Sequence, residues 1–245
     1  MMKVIDSTQA VALRPQYAVI LYGEQSGRGA SHAFATAHPL TAEKKGWRIG
    51  AGAPLRKDAL SNALYALLGT GRPELLPTNV LSAGPGYLAW WCPPQRRAVF
   101  FDAGSALSAR HGAVPQPGLV FVWTLRSVYV MALHTDKRPD ANSMLYNTPY
   151  WNVWKGGNVC KGNAPFPERP SVDQIAATEN AFFHSRNTHP NVSGRLVNYR
   201  GGSTALWCDL LDGKHKCFPL RALLPAKVTL SEFLQSCIGD PHGSA

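Results

Sequence analysis

Four short runs between Tyr87 and Ala132 constrain the fold more than any other part of the chain. They are Tyr87 to Trp91, Ala98 to Phe101, Leu119 to Trp123 and Val128 to Ala132, each dense in aromatic and β-branched residues. Such side chains suit the pleated, packed surface of a sheet. Pro93-Pro94 joins the first two runs and Thr124-Leu125-Arg126-Ser127 the last two. The pattern predicts an antiparallel four-strand meander in an α+β fold.

Other elements are predicted around this meander. Tyr17 to Tyr22 reads as a strand ending at Gly23, and Leu60, Leu64, Leu67 and Leu68 recur at helical spacing before a capping Gly69. Ser171-Val172-Asp173-Gln174 reads as a capping box opening a helix to about Ser185. Asp212-Gly213 between Leu206 to Leu211 and Lys214 to Phe218 reads as a hairpin turn, with Cys208 opposite Cys217 as a reduced pair. Thr229-Leu230-Ser231-Glu232 opens a last short helix, and a loose tail is expected from Gly239. These readings divide the chain into an N-terminal strand extension over 1–50, a core over 51–200, and a C-terminal hairpin and helix over 201–245.

Between Pro139 and Pro170 no periodicity is visible, and a loop this long in a compact domain is commonly functional. It contains Asn152-Val153-Trp154-Lys155-Gly156-Gly157-Asn158-Val159-Cys160, followed by Lys161 and Gly162. Glycines let a backbone turn sharply and approach other groups closely. An inert cysteine usually sits as a small hydrophobe in a regular element. A thiol held out on a glycine-shaped loop, with an asparagine eight positions before it, therefore singles out Cys160 and Asn152.

Charge and cysteine content narrow the classes further. Lys and Arg exceed Asp and Glu by 25 to 15, a net charge of +10 that favours an acidic partner, protein or nucleic acid. No long basic run concentrates that charge. Five cysteines in 245 residues are no disulfide framework, and the odd count leaves a free thiol. The apolar run Ala10 to Leu13 stops at Arg14, too short for a secretory leader, and no stretch is long enough for a membrane span. The expected setting is cytoplasmic. No phosphate-binding glycine loop is present, so no nucleotide cofactor is expected, and Cys208, His215 and Cys217 lack the knuckle spacing of a zinc site.

The residues from Asn152 to Cys160 resemble the active-site signature of ubiquitin-conjugating enzymes. Asn152, Val153, Trp154, Gly157, Val159 and Cys160 occupy its six specified positions without a gap. The order of helix, meander, cysteine loop and helix is also similar. Trp90-Trp91-Cys92-Pro93, Leu145 to Tyr150, Val159 to Gly162 and Phe182-Phe183-His184-Ser185 resemble a narrower group, the prokaryotic ubiquitin-conjugating-like family D, or PRTRC system protein B family. That resemblance covers about Tyr17 to Pro190.

The resemblance implies a transthiolation chemistry in which Cys160 takes the C-terminus of a ubiquitin-like protein from an activating enzyme and passes it to an amine. It implies a ThiF-like activating enzyme, a ubiquitin-like protein and a JAMM-type peptidase as partners, often on plasmids or other mobile elements. ATP would be used by a partner. Cationic neighbours favour a thiolate, and Lys161 and Lys155 flank Cys160 in sequence. Asn152 either stabilises the oxyanion or holds the loop backbone. Gly157 shapes the loop.

The chain departs from the signature in one place. Tyr150 and Trp151 stand where His-Pro precedes the asparagine in the broader group. Family D uses a histidine after the cysteine, here His189 or His184, and His189 is preferred because a loop residue reaches a neighbouring loop more easily. Two further readings remain open: a non-catalytic basic component binding protein or DNA, and a Cys–His hydrolase of thioesters.

Overall fold

The computed structural model describes residues 3–6, 9–12, 14–26, 29–56, 75–103 and 106–239. The helix expected around Leu60 to Leu68 and the tail beyond Gly239 lie outside the described residues. The chain divides into two units, Met1–Glu74 and Leu75–Ala245. In the first, β1 (Lys3–Asp6) pairs with β2 (Gln9–Ala12), and β3 (Tyr17–Ser26), β4 (Gly29–Glu43) and β5 (Gly46–Ile49) pair in that order. The short β6 (Ala53–Pro54) also pairs with β4. The strand expected at Tyr17 to Tyr22 is β3.

The second unit is built on β7 (Val80–Gly84), β8 (Tyr87–Cys92), β9 (Arg96–Phe101), β10 (His111–Pro115), β11 (Gly118–Thr124), β12 (Val128–Leu133), β13 (Met144–Tyr146), β14 (Arg186–Asn187) and β15 (Pro225–Thr229). A six-stranded antiparallel sheet runs in the order β15-β13-β12-β11-β8-β7. The four expected strands all form, but their pairing corrects the meander. β8 pairs with β11, and β9 leaves to join β10 and β14 in a separate three-stranded sheet. Pro93 and Pro94 offer no N–H to a ladder, and Arg96 and Arg97 open β9 with two cations. β11 is buried along nearly its whole length, so the apolar strand takes the central place instead.

Alternation along β11 divides its side chains between two cores. Leu119, Phe121 and Trp123 join Trp90, Val128 and Val130 on one face. Val120 and Val122 join Met131, Leu133 and Leu145 on the other. Three helices follow: α1 (Ile175–Phe183), α2 (Gly202–Leu211) and α3 (Leu230–Gly239). Phe182 and Phe183 of α1 and Trp207 of α2 pack in the first core, while Leu230, Phe233 and Cys237 of α3 pack in the second. Phe182 meets Phe121 edge-on at 5.4 Å and Tyr150 at 4.7 Å between ring centres.

Two helix starts were expected from capping boxes, and one forms as such. The Thr229 amide donates to Glu232 Oε2 at 2.8 Å, and the Glu232 amide donates to Thr229 Oγ1 at 3.3 Å. At Ser171 the carboxylate of Asp173 intervenes. It accepts from Ser171 Oγ at 2.5 Å and from Gln174 Nε2 at 3.0 Å, so the box is replaced by a tight turn over Val172–Gln174. A charged acceptor outcompetes the backbone for both donors.

The hairpin expected across Asp212-Gly213 does not form. Leu206, Trp207 and Leu210 are buried at helical spacing on α2, and Gly213 takes the left-handed conformation (φ 74°) just past its end. A two-residue hairpin and a helix terminus both favour glycine at a positive φ, and here the apolar spacing decides between them. Cys208 therefore sits on a helix and Cys217 in the exposed segment after it, not opposite each other in a ladder. Tyr199 accounts for His215 instead, contacting its Nε2 at 2.8 Å and donating to Asp209 at 2.7 Å. Among the described residues no group of His, Cys, Asp or Glu is placed to hold a metal ion, and no helix is long and apolar enough to cross a membrane.

Candidate active site

The segment from Asn152 to Cys160 closes on itself as a narrow flap. Val153 bridges Val159, and the Cys160 amide donates to the Asn152 carbonyl at 2.7 Å. Val153 and Val159 both turn into the core, pinning the two arms. The flap is also stitched to β12. The Val130 amide donates to the Gly157 carbonyl and the Val159 amide to the Val128 carbonyl, both at 2.8 Å. The eight-residue spacing that singled out the two residues is thus the spacing that sets them side by side at the base of the flap.

Gly157 is required by this arrangement for two reasons. Its φ is 91°, and a Cβ there would lie 2.9 Å from Met131 Sδ and 3.0 Å from the Val130 carbonyl oxygen. Its part is to let the flap lie against β12, and it does not line the cavity beside Cys160. Tyr150 is likewise absent from that cavity. It is fully inside the core, its hydroxyl donating to Gln116 Oε1 at 2.5 Å, and burial drives its phenol well above the ordinary tyrosine range. Trp151 is buried too, but Trp154 stands 49% exposed at the flap, so the aromatics do not all pack inward.

Cys160 is exposed at the edge of an open cavity of about 960 Å³. Asn152, Lys161, His184 and His189 line the same cavity, whereas Gly157, Tyr150 and Lys155 do not. Ala177, Asn180, Ala181 and His184 form one face of α1 and its cap at i, i+3, i+4 and i+7. The opposite face, with Thr178, Glu179, Phe182 and Phe183, is buried. Glu179 accepts from Trp90 Nε1 at 3.1 Å and pairs with Arg97, holding α1 on the sheet. Burial, reinforced by Glu179, pushes the neighbouring Cys92 thiol up to about 12.

Asn152 is 8% exposed, and its side chain bonds to Ser185 in the turn just past α1, not to the loop backbone. Nδ2 donates to Ser185 Oγ at 2.6 Å, and Ser185 Oγ donates onward to the Phe182 carbonyl at 2.7 Å. Each bond in this chain has its donor and acceptor fixed by the terminal carbonyl. The amide nitrogen carries a second N–H, as any primary amide does. It is the Asn152 backbone carbonyl that holds the loop, by receiving the Cys160 amide.

The two histidines differ in their partners. His184 Nδ1 lies 2.9 Å from the Asn180 carbonyl, which can only accept, so Nδ1 carries the proton and Nε2 is the basic atom of the neutral ring. The ring also packs against Phe100 at 5.5 Å. His189 Nδ1 meets the Thr188 hydroxyl at 3.0 Å, a partner that can donate or accept and fixes no tautomer.

The family model of prokaryotic E2 family D matches residues 57–226, well over half of the chain. The chain belongs to prokaryotic E2 family D. The match includes the flap, Cys160 and all of α1 and α2. No curated protein and no solved structure matches the chain. Membership of prokaryotic E2 family D points to a ubiquitin-conjugating-like protein, and it leaves the roles of individual residues to the geometry. Ser185, Asn180 and Asn191, which the sequence did not single out, belong to the same cavity. The helical spacing of Ala177, Asn180, Ala181 and His184 would have found one of them; Ser185 and Asn191 arrive through tertiary packing.

Proposed function

We propose that Cys160 carries the C-terminus of a ubiquitin-like protein as a thioester. The observation that supports this best is the exposed Cys160 thiol set beside Asn152 on a cavity that also holds two histidines. In the first step the Cys160 thiolate attacks the carbonyl of a thioester on a ThiF-like activating enzyme and expels that enzyme's thiolate. In the second an amine attacks the new thioester, the Cys160 thiolate leaves, and the amine's proton passes to a base.

Asn152 supplies an N–H from Nδ2 to the oxyanion formed in each step, oriented through Ser185. We favour His184 over His189 as the base, because its Nδ1–H is held by Asn180 and its Nε2 lone pair is left for the proton. A ubiquitin-like protein and a JAMM-type peptidase complete the system, of the PRTRC kind and carried on a mobile element.

The test is reconstitution with the activating enzyme, the ubiquitin-like protein and ATP. The expected product is an adduct on this chain that disappears with reducing agent and is absent from Cys160→Ala. Persistence of the adduct in Cys160→Ala removes Cys160 from its role. Rapid ester turnover without any carrier protein would instead favour a Cys–His hydrolase.

A further inference from the structure

The cavity beside Cys160 has a sign. Lys161 and Arg186 line it with His184 and His189, and among the described residues no Asp or Glu does so. Lys161 forms no ion pair among the described residues. Its ammonium lies 5.9 Å from the centre of the Phe166 ring. Arg186 shares Asp102 at 3.0 Å, but both side chains are more than half exposed, and a solvated pair of this kind holds its charges only loosely. Asn152, Asn163, Asn180 and Asn191 also line the wall, among small residues such as Ala164, Ala177 and Ala181. Asn152 Oδ1 and Asn191 Nδ2 are buried atoms without a hydrogen-bond partner, and both residues line the cavity.

We propose that this cavity receives an extended acidic peptide segment, the tail of the protein carried on Cys160. This rests on the carrier reading above and adds the charge of its substrate. Lys161 and Arg186 face the acidic side chains. A nucleic acid strand is the poorer fit. Binding single strands relies on aromatic platforms for the bases, and among the described residues no Phe, Tyr or Trp lines this cavity.

The experiment uses the full chain and three short fluorescent peptides of equal length, bearing Glu, Gln or Lys at the same positions, with binding read by anisotropy. The Glu peptide is expected to bind about tenfold more tightly than the Gln peptide at low salt, with the gap closing as salt rises. Lys161→Glu with Arg186→Glu should abolish the preference, while Lys216→Glu, in the exposed segment after α2, should leave it intact. Equal binding of the Glu and Gln peptides overturns the proposal. So does an equal loss in Lys216→Glu, which would assign the effect to overall charge. An oligonucleotide that binds through Lys161 and Arg186 when the Glu peptide does not also overturns it.

The same peptides as C-terminal thioesters separate the two readings. Loading of Cys160 without charge preference would leave the carrier reading standing and remove this one. A charge preference lost in the double variant, with no adduct on Cys160, would do the reverse.

Discussion

Asn152 and Ser185 are joined by a 2.6 Å hydrogen bond that links the Cys160 flap to the turn ending α1. Ser185→Ala removes the acceptor for Asn152 Nδ2, and a buried donor left unmatched costs about 1–3 kcal/mol. The expected result is a folded protein whose thioester forms but discharges to an amine several-fold more slowly. Ser185→Thr, which keeps the hydroxyl, should restore the discharge rate. A discharge rate unchanged in Ser185→Ala would deny Ser185 its positioning role.

Gly157 and Gly156 offer a matched pair of substitutions. Both have positive φ, but a Cβ on Gly156 meets open space whereas one on Gly157 meets Met131 and the Val130 carbonyl. Gly156→Ala should cost about 1 kcal/mol for backbone strain alone. Gly157→Ala should cost about 1–3 kcal/mol more, because the flap must lift from β12. Urea unfolding of the two variants measures the difference.

The five cysteines should separate by reactivity. Burial pushes Cys92 and Cys237 up to about 12, so near neutral pH both remain protonated and shielded. Cys160 and Cys217 are exposed. Iodoacetamide at mildly alkaline pH, followed by peptide mass spectrometry, should therefore mark Cys160 and Cys217 first and leave Cys92 and Cys237 unmodified until the chain unfolds. Early labelling of Cys92 would contradict the packing of Glu179 and Arg97 around it.

The Arg97–Glu179 pair is partly buried, and Arg97 also lies over the Phe183 ring at 5.0 Å. Arg97→Met strands the Glu179 carboxylate, and breaking one side of a buried pair costs about 3–5 kcal/mol. Arg97→Met with Glu179→Gln should recover a good part of that loss. Thermal unfolding of the two variants checks the order, and a double variant no more stable than Arg97→Met would show that the charge is not what the pair supplies.

Glu232 gives a pH signature at the start of α3. The Thr229 amide and hydroxyl hold its carboxyl below the ordinary glutamate range. A group whose folded pKa is depressed stabilises the fold above its unfolded pKa and loses that contribution as pH falls through the folded one. Glu232→Gln should therefore melt lower than the parent chain near neutral pH, and the gap should close on strong acidification. A gap that is constant with pH would assign the effect to the side chain's shape alone.

Local pattern was sufficient for the strands β8, β9, β11 and β12, for the Thr229 capping box, and for the nearness of Asn152 to Cys160. It was insufficient wherever two local solutions share a residue type. Asp212-Gly213 suits a hairpin and a helix terminus alike, and the order of β8 and β9 in the sheets depends on which strand can bear burial on both faces. The site follows the same rule. The flap's two ends are eight positions apart and were visible as a motif. Ser185 and Asn191 lie far along the chain and reach the cavity beside Asn152 only through the packing of α1 and the segment after β14. Tyr150 occupies a signature position and yet serves the core, because its hydroxyl has Gln116 to bond.

Cys160 belongs mechanically to the sheet, through the two hydrogen bonds from its flap to β12, whereas Ser185 and His184 travel with α1. Cys160 and Asn152 are therefore mounted on one piece of the framework and Ser185 and His184 on another, and the seam between those pieces includes the Asn152–Ser185 hydrogen bond and the aromatic contact of Phe182 and Phe183 with Phe121. A slip of about 1 Å along that seam suffices to lower a reaction rate by about a hundredfold. Pressure on α1 therefore reaches the surroundings of Cys160 through Ser185 and Asn152 without touching the sulfur.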